Sequence, residues 1–324
     1  MPTRFPSVPT RVGLAVGLDM PWGSPRGFVE ADDDSGSTPA PAVTRFLERY
    51  ADWFTGVFTS IQPRRRQRWQ TGVAAPYVDA NARLRRSCPA AALFSLHHTQ
   101  LDTAQPCGFD ESGRAELFAF TNALVEATGA AWVNEDLGIW TFDGKPLPYP
   151  LPPLLTTASL RRCIATVRTV QAKLVVPFVL ELPGFSEGAG FWLGDLDPLA
   201  FFRTIVEETD SPCTIDIAHL LGIAGVESCR DHADDVIARL PLDACIDLHL
   251  SGAHLANGAI VDAHHGVLLD EQLDLLEALL PRCPNLRVIT YEDPRFLDDG
   301  RLVPKALRNA ERLRGIAAAW SNGT

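Results

Sequence analysis

Between Asp247 and Gly266 the sequence reads DLHLSGAHLANGAIVDAHHG. These twenty residues hold four of the chain's eight histidines, His249, His254, His264 and His265, together with Asp262. Neutral imidazole and carboxylate are common nitrogen and oxygen ligands of transition metals, so this density of both points to metal chemistry. The plain alternative is a solvated loop with scattered histidines, but surface loops rarely gather more than one or two groups of this kind. The stretch opens with a clean alternation: Leu248 and Leu250 fall on one face of a strand, and Asp247, His249 and Ser251 on the other. Helices packed outside such a strand would cover the leucines and leave the polar set facing inward.

The same parity recurs upstream and downstream. Ser95 and His97 share a face opposite Phe94 and Leu96, and Val133 and Glu135 share one in AWVNED. Val179 and Glu181 oppose Phe178, Leu180 and Leu182; Thr214 and Asp216 oppose Ile215 and Ile217; Thr290 and Glu292 oppose Ile289 and Tyr291. Six successive strands are therefore expected to bring His97, Glu135, Glu181, Asp216, His249 and Glu292 inward near their carboxyl ends. Any one of them has an ordinary explanation, Glu135 or Asp216 as a helix cap or ion pair and His97 as a hydrogen-bonded core residue. Their convergence, with no Lys or Arg among them, does not. Buried charge of one sign is costly unless a cation neutralises it, and a metal ion is the simplest such cation. A mixed nitrogen and oxygen shell without sulfur suits iron, manganese or zinc.

These strands belong to an alternation that runs the length of the chain. Strands are predicted at 12–18, 57–61, 92–98, 132–137, 178–182, 213–219, 245–252 and 286–293. Helices are predicted at about 42–54, 76–86, 112–128, 156–173, 197–208, 231–240, 269–282 and 305–318. Eight strand–helix units imply a parallel sheet closing on itself, an α/β fold of the (β/α)8 TIM-barrel class, as a single domain over residues 1–324. Barrel enzymes keep their chemistry at the carboxyl ends of the strands, where the six candidates fall. The open doubly wound sheet is the structural alternative, but no Gly-x-Gly-x-x-Gly follows the first strand. A flexible insertion is expected at about residues 30–41, where DDDSGSTPAP cannot bury apolar surface.

Composition narrows the function classes. At 324 residues, 46% hydrophobic and 21% charged, the chain can bury a sizeable core. No apolar run approaches the roughly 20 residues a membrane helix needs, and no secretory signal opens the sequence, so the cytoplasm is the expected compartment. Seven dispersed cysteines without a C-x-x-C pair suggest neither a disulfide framework nor a zinc knuckle. The net charge of −11 argues against nucleic-acid binding. One local exception, Arg64-Arg65-Arg66 with Arg68, follows the second strand on the mouth side; Arg64 and Arg66 are the candidates to attract an acidic substrate or leader segment. DLGIW and LPYPLPP, after the fourth strand, could lie over the mouth as a lid. The absence of a P-loop and of H-E-x-x-H removes the commonest nucleotide and zincin readings.

In colinear order VNEDL, PLPYPLP, LELPGFSEG, TIDIAHLLG, IDLHLSGAH, IVDAHHG and ITYED resemble the multinuclear non-haem iron-dependent oxidase family, which includes the methanobactin-biosynthesis oxidase. The resemblance covers about two thirds of the chain, and the His249–His265 stretch and the Asp216 strand are its specific parts. It implies a xylose-isomerase-like barrel holding two or three irons, with O2 as cosubstrate. The implied reaction is oxidative modification of a cysteine or other side chain of a ribosomally made peptide in natural-product biosynthesis, often with a small accessory protein; a divergent member could act on a small molecule. Carried over by position, His97, Glu135, Asp216, His249, Asp262, His264 and Glu292 would be iron ligands, and Glu181 sits where the family has a carboxylate followed by Asn. His219, His254 and Asp136 are candidates for further metal ligands, and no catalytic group is expected beyond the ligands themselves. The chain departs from the pattern at Asn134-Glu135-Asp136, where the family has Ser-Glu-His, and at Leu182, Gln62 and Asp19. The alternative is a divalent-metal-dependent isomerase or hydrolase on the same barrel, with Glu181 and Glu292 bridging two ions. A sugar isomerase of that type would be expected to supply an inward lysine, and none is evident.

Overall fold

The strand-forming segments are short apolar runs, and in the computed structural model they pair side by side. The structure describes residues 5–8, 11, 13–18, 41–61, 74–105, 114–142, 145–184, 192–256 and 259–322. In chain order the strands are β1 (Gly13–Leu18), β2 (Gly56–Ile61), β3 (Leu93–His98), β4 (Val133–Asp136), β5 (Ile139–Phe142), β6 (Lys145–Leu151), β7 (Phe178–Glu181), β8 (Cys213–Asp216), β9 (Cys245–Leu250), β10 (Ala253–Ala256), β11 (Ala259–Asp262) and β12 (Val288–Glu292). Eight of them form a closed barrel in the order β1-β2-β3-β4-β7-β8-β9-β12, with β12 returning to β1. All barrel neighbours run parallel, as the intervening helices require. The remaining four strands make two antiparallel hairpins, β5–β6 and β10–β11, inserted after β4 and β9. The TIM-barrel expectation therefore holds.

The helices are α1 (Pro41–Arg49), α2 (Ala74–Arg86), α3 (Ala115–Thr128), α4 (Thr157–Lys173), α5 (Pro198–Thr209), α6 (Ile217–Ala224), α7 (Val226–Asp231), α8 (Ala233–Ile237), α9 (Asp270–Leu279) and α10 (Pro304–Asn322). Two starts are chemically marked: the Thr156 and Asp197 side chains accept from the Ser159 and Ala200 amides to cap α4 and α5. Among the described residues no helix is long and apolar enough to cross a membrane. The insertion expected at about 30–41 falls, apart from Pro41, outside the described residues. Arg64, Arg65, Arg66 and Arg68 lie outside them too.

The barrel interior is layered. Ala15, Leu93, Trp132, Val179, Ile246 and Val288 close its floor as a small apolar cluster. Phe94, Leu96, Val133, Phe178, Leu180, Ile215, Leu248, Leu250 and Ile289 belong to the larger core that the helices cover. Inward positions above the floor turn polar, so along β3, β4, β7, β9 and β12 the interior changes from a packed plug to ligand-type side chains within four residues. Only β1 and β2 bring no such group. Gly17 and Phe58 are register partners there, and a Cβ built on Gly17 would stand 2.4 Å from the Phe58 ring. Phe58 is itself held against His249, with ring centroids 5.4 Å apart and planes 13° from parallel. Gly17→Ala should therefore overpack this corner and lower stability by about 1–3 kcal/mol in chemical denaturation. An unchanged midpoint would mean the ring can yield.

Candidate metal centre

Glu181, at the end of β7, is the hub. Its Oε2 stands 3.2 Å from His97 Nε2 of β3, and its Oε1 stands 3.2 Å from His249 Nδ1 of β9. Asp136 Oδ2 of β4 lies 3.4 Å from the same His97 nitrogen, and Glu292 Oε1 of β12 lies 2.7 Å from His249 Nδ1. Three groups among the described residues could each hold an ion, with ligand atoms mutually within 4.8 Å: His97–Asp136–Glu181, Glu181–Asp216–His219 and Glu181–His249–Glu292. Glu181 belongs to all three. Asn134, one turn of the parity below Asp136, donates through Nδ2 to Glu181 Oε2, and accepts at Oδ1 from Thr214 Oγ1 at 3.3 Å.

The β8 end shows how local structure aims a ligand. The strand stops at Asp216, whose Oδ1 accepts the His219 amide at 2.8 Å and so caps α6. The cap occupies one carboxylate oxygen; Asp216 Oδ2 is left buried without a partner. The helix then returns His219 over the site, its Nδ1 2.8 Å from the Leu182 carbonyl and its Nε2 3.2 Å from Asp262 Oδ2. Asp262 ends β11. Ser251 Oγ donates to its Oδ1, while buried Gln272 on α9 donates to the Ser251 carbonyl at 3.0 Å. His264 follows with φ +45°, its Nε2 3.2 Å from Asp262 Oδ2 and 3.8 Å from Glu292 Oε2. Tyr291 OH pins this segment by donating to the Gly266 carbonyl at 2.5 Å.

The electrostatics are those of an acidic cluster seeking cations. Among the described residues no Lys or Arg pairs with Asp136, Glu181, Asp216, Asp262 or Glu292. Histidines take the cationic part. Burial pushes the His97 imidazolium down, but Asp136 and Glu181 outweigh it and its pKa stands well above the ordinary value. Burial is likewise outweighed at His219 by Asp216, Asp262 and Asp136, and at His249 by Glu181, Glu292 and Asp247. Burial would raise Glu181, yet His249 and His97 hold it well below the usual carboxylate range. At Asp216 burial wins: offset only partly by His219 and reinforced by Asp262, Glu292 and Glu181, it pushes the carboxyl up to about 7.

The fit to a metal can be tested on orphaned atoms. Asp216 Oδ2, His97 Nδ1 and His249 Nδ1 are buried without a hydrogen bond of acceptable geometry. For His249 this holds although two carboxylate oxygens stand within 3.2 Å. Of these, Asp216 Oδ2 and His249 Nδ1 belong to side chains grouped around Glu181, where an unpartnered lone pair fits a coordinated cation, and the donor set is nitrogen and oxygen only.

Most expected ligands meet here: His97, Glu181, Asp216, His249, Asp262, His264 and Glu292, with His219 and Asp136 from the further candidates. Glu135 does not. Register pairs Leu96 with Val133 and His97 with Asn134, so Val133 and Glu135 face the helices while Asn134 and Asp136 face inward. Glu135 is fully buried, its Oε1 accepting the Leu101 amide at 2.6 Å and lying 3.7 Å from His98 Nδ1. Burial and the charge of Asp102 raise its pKa well above the ordinary value. The signal that could have set the parity is Trp132, whose place in the floor fixes the inward face of β4. His254 is also elsewhere, exposed on β10 and stacked on His265 with centroids 5.5 Å apart. The PLPYPLP segment forms the β6 side of a hairpin with β5. Asp102 holds that hairpin by accepting from the amides of Trp140 and Thr141.

With this geometry in place, likeness to known proteins can be weighed. Residues 78–312, well over half of the chain, match the model of the family described as RiPP precursor modification enzyme MbnB/TglH/ChrH. The chain belongs to this family. Two UPF0276 proteins, from Bordetella parapertussis and Bordetella bronchiseptica, are each 27% identical over 216 residues, 64% of this chain and 70% of theirs. A D-allulose 3-epimerase from Methylomonas sp. superposes with a TM-score of 0.55 at 15% identity, covering 94% of this chain and 99% of that one. Endonuclease IV from Thermus thermophilus gives 0.53 at 15%, covering 96% and 100%. A xylose isomerase domain protein from Alicyclobacillus acidocaldarius gives 0.52 at 16%, covering 95% and 98%. These structures share the fold. Membership makes the chain a RiPP-modification enzyme on a xylose-isomerase-like barrel, with clusters of carboxylate and imidazole able to bind metal.

Proposed function

We propose that this chain is an iron-dependent, O2-using oxidase that modifies a cysteine or other side chain of a ribosomally made precursor peptide. The observation that carries the reading is Glu181, shared by three nitrogen- and oxygen-donor groups at the mouth of one barrel. Two or three irons would be held by His97, Asp136 and Glu181; by Glu181, Asp216 and His219 with Asp262; and by Glu181, His249 and Glu292 with His264. Bound iron supplies a redox centre that activates O2 and accepts electrons from substrate. The chain's own residues do the rest. Glu181 sets the spacing of the groups, and Asn134 fixes its rotamer by donating to Oε2. Phe58 walls the β1–β2 side with an apolar ring, leaving approach from the mouth. There His264, with its side chain 30% exposed, is the most accessible of the imidazoles in the cluster.

Protein purified without oxygen should hold about two irons per chain and consume O2 when a precursor peptide is added. Stoichiometric zinc, with activity surviving iron chelation, would sink the oxidase reading in favour of a divalent-metal isomerase or hydrolase.

A further inference from the structure

His249 meets a carboxylate at each ring nitrogen, and the two sides are not equivalent. On the Nε2 side, Asp247 Oδ2 lies at 3.2 Å, two residues back along β9 and deeper in the barrel. The other oxygen of Asp247 accepts from Thr290 Oγ1 on β12 at 2.8 Å. Asp247 and Thr290 are buried, so water does not compete for this chain of bonds. On the Nδ1 side stand Glu292 Oε1 and Glu181 Oε1, yet Nδ1 makes no hydrogen bond of acceptable geometry. Phe58, stacked on the ring, limits its tilt.

We propose that Asp247 is a positioning residue which, by accepting from His249 Nε2–H, leaves Nδ1 as the atom that ligates a divalent metal between Glu181 and Glu292. A neutral imidazole carries one N–H, and of two nitrogens that both face carboxylates the one in hydrogen-bonding geometry, here Nε2 toward Asp247 Oδ2, bears it. The other nitrogen then presents its lone pair. Metal-bound histidines commonly donate their second nitrogen to such a partner, which orients the ring and raises its basicity. Thr290 completes the device by holding Oδ1, so that Oδ2 stays aimed at the ring. His219 obeys the same logic in the opposite sense. Its Nδ1 faces the Leu182 carbonyl at 2.8 Å, an acceptor only, so Nδ1 bears the proton and Nε2, beside Asp262 Oδ2 at 3.2 Å, is the nitrogen that presents a lone pair. The proposal rests on a metal at this site but not on iron or on O2.

The test uses the full chain labelled with nitrogen-15 and loaded with zinc, read by long-range proton–nitrogen correlation spectra. His249 should carry its proton on Nε2 with Nδ1 shifted by the metal, and His219 should show the reverse pattern. Asp247→Asn, whose amide can turn its NH2 to the ring and favour the other tautomer, should weaken zinc binding about 10–100-fold in competition with a chelator. Thr290→Val should weaken it less while keeping the His249 pattern; should Asp247→Asn fail to fold, that smaller loss decides. A His249 proton on Nδ1, zinc uptake without His249, or unchanged affinity in Asp247→Asn would overturn the proposal. The oxidase reading could fail with all of these zinc results intact.

Discussion

Glu181→Gln should cost the protein most of its metal, while Glu135→Gln should cost none. Glu181 is the one side chain common to all three ligand groups. Its removal takes from His97 and His249 the one carboxylate that both of them face. Breaking a buried charge pair from one side costs about 3–5 kcal/mol, which is roughly a hundredfold or more in affinity for each ion it touches. Gln keeps the volume, so the barrel floor and the helices should be undisturbed. Glu135, one strand away and equally buried, bonds the Leu101 amide instead. A Gln there can still accept that hydrogen bond and no longer needs to hide a charge. Elemental analysis of both variants after desalting decides the matter, and full metal in Glu181→Gln would contradict the shared-hub geometry.

Stripping the metal from the wild-type chain is expected to produce the second large effect, a fall in stability that deepens with pH. A ligand that binds only the folded state stabilises it by about 4 kcal/mol per site at a thousandfold excess over its Kd. In the metal-free protein protons take over part of the neutralisation. Asp216 has its folded pKa raised to about 7, so the folded state binds more protons than the unfolded one between the ordinary carboxylate range and that value. The metal-free fold loses that advantage as pH rises toward 7. His97, His219 and His249, raised well above the ordinary imidazole value, stabilise below that value and lose their contribution as pH climbs through their folded pKa values. Both shifts have the same sign. Melting curves of loaded and stripped protein should therefore diverge from pH 6 to pH 8; parallel curves would mean that the cluster is not neutralised by metal.

Much of this was legible in the sequence because period-two alternation survives wherever one face of a strand meets helices and the other the barrel interior. His97, Glu181, Asp216, His249 and Glu292 follow from that pattern alone. β4 misled because both its faces are buried, and Val133 beside Glu135 imitates Val179 beside Glu181. Only the large Trp132 side chain, which must fill the floor, fixes the inward face as Asn134 and Asp136. The strand at 213–219 reads as longer than it is because Ile215 and Ile217 continue the alternation. The cap that Asp216 makes with the His219 amide turns the chain into α6 instead. The hairpins were hidden for another reason. β10 (AHLA) and β11 (AIVD) carry no alternation of large apolar and polar residues, so Asp262 reads as a loop residue although it ends a strand.

The most direct measurement is anomalous diffraction at the iron edge from crystals grown without oxygen. Iron peaks are expected within bonding distance of the Glu181 carboxylate, one flanked by His97 and Asp136 and another by His249 and Glu292 with Nδ1 as the histidine ligand. Peaks remote from Glu181, or iron bound through Glu135, would contradict the site described above.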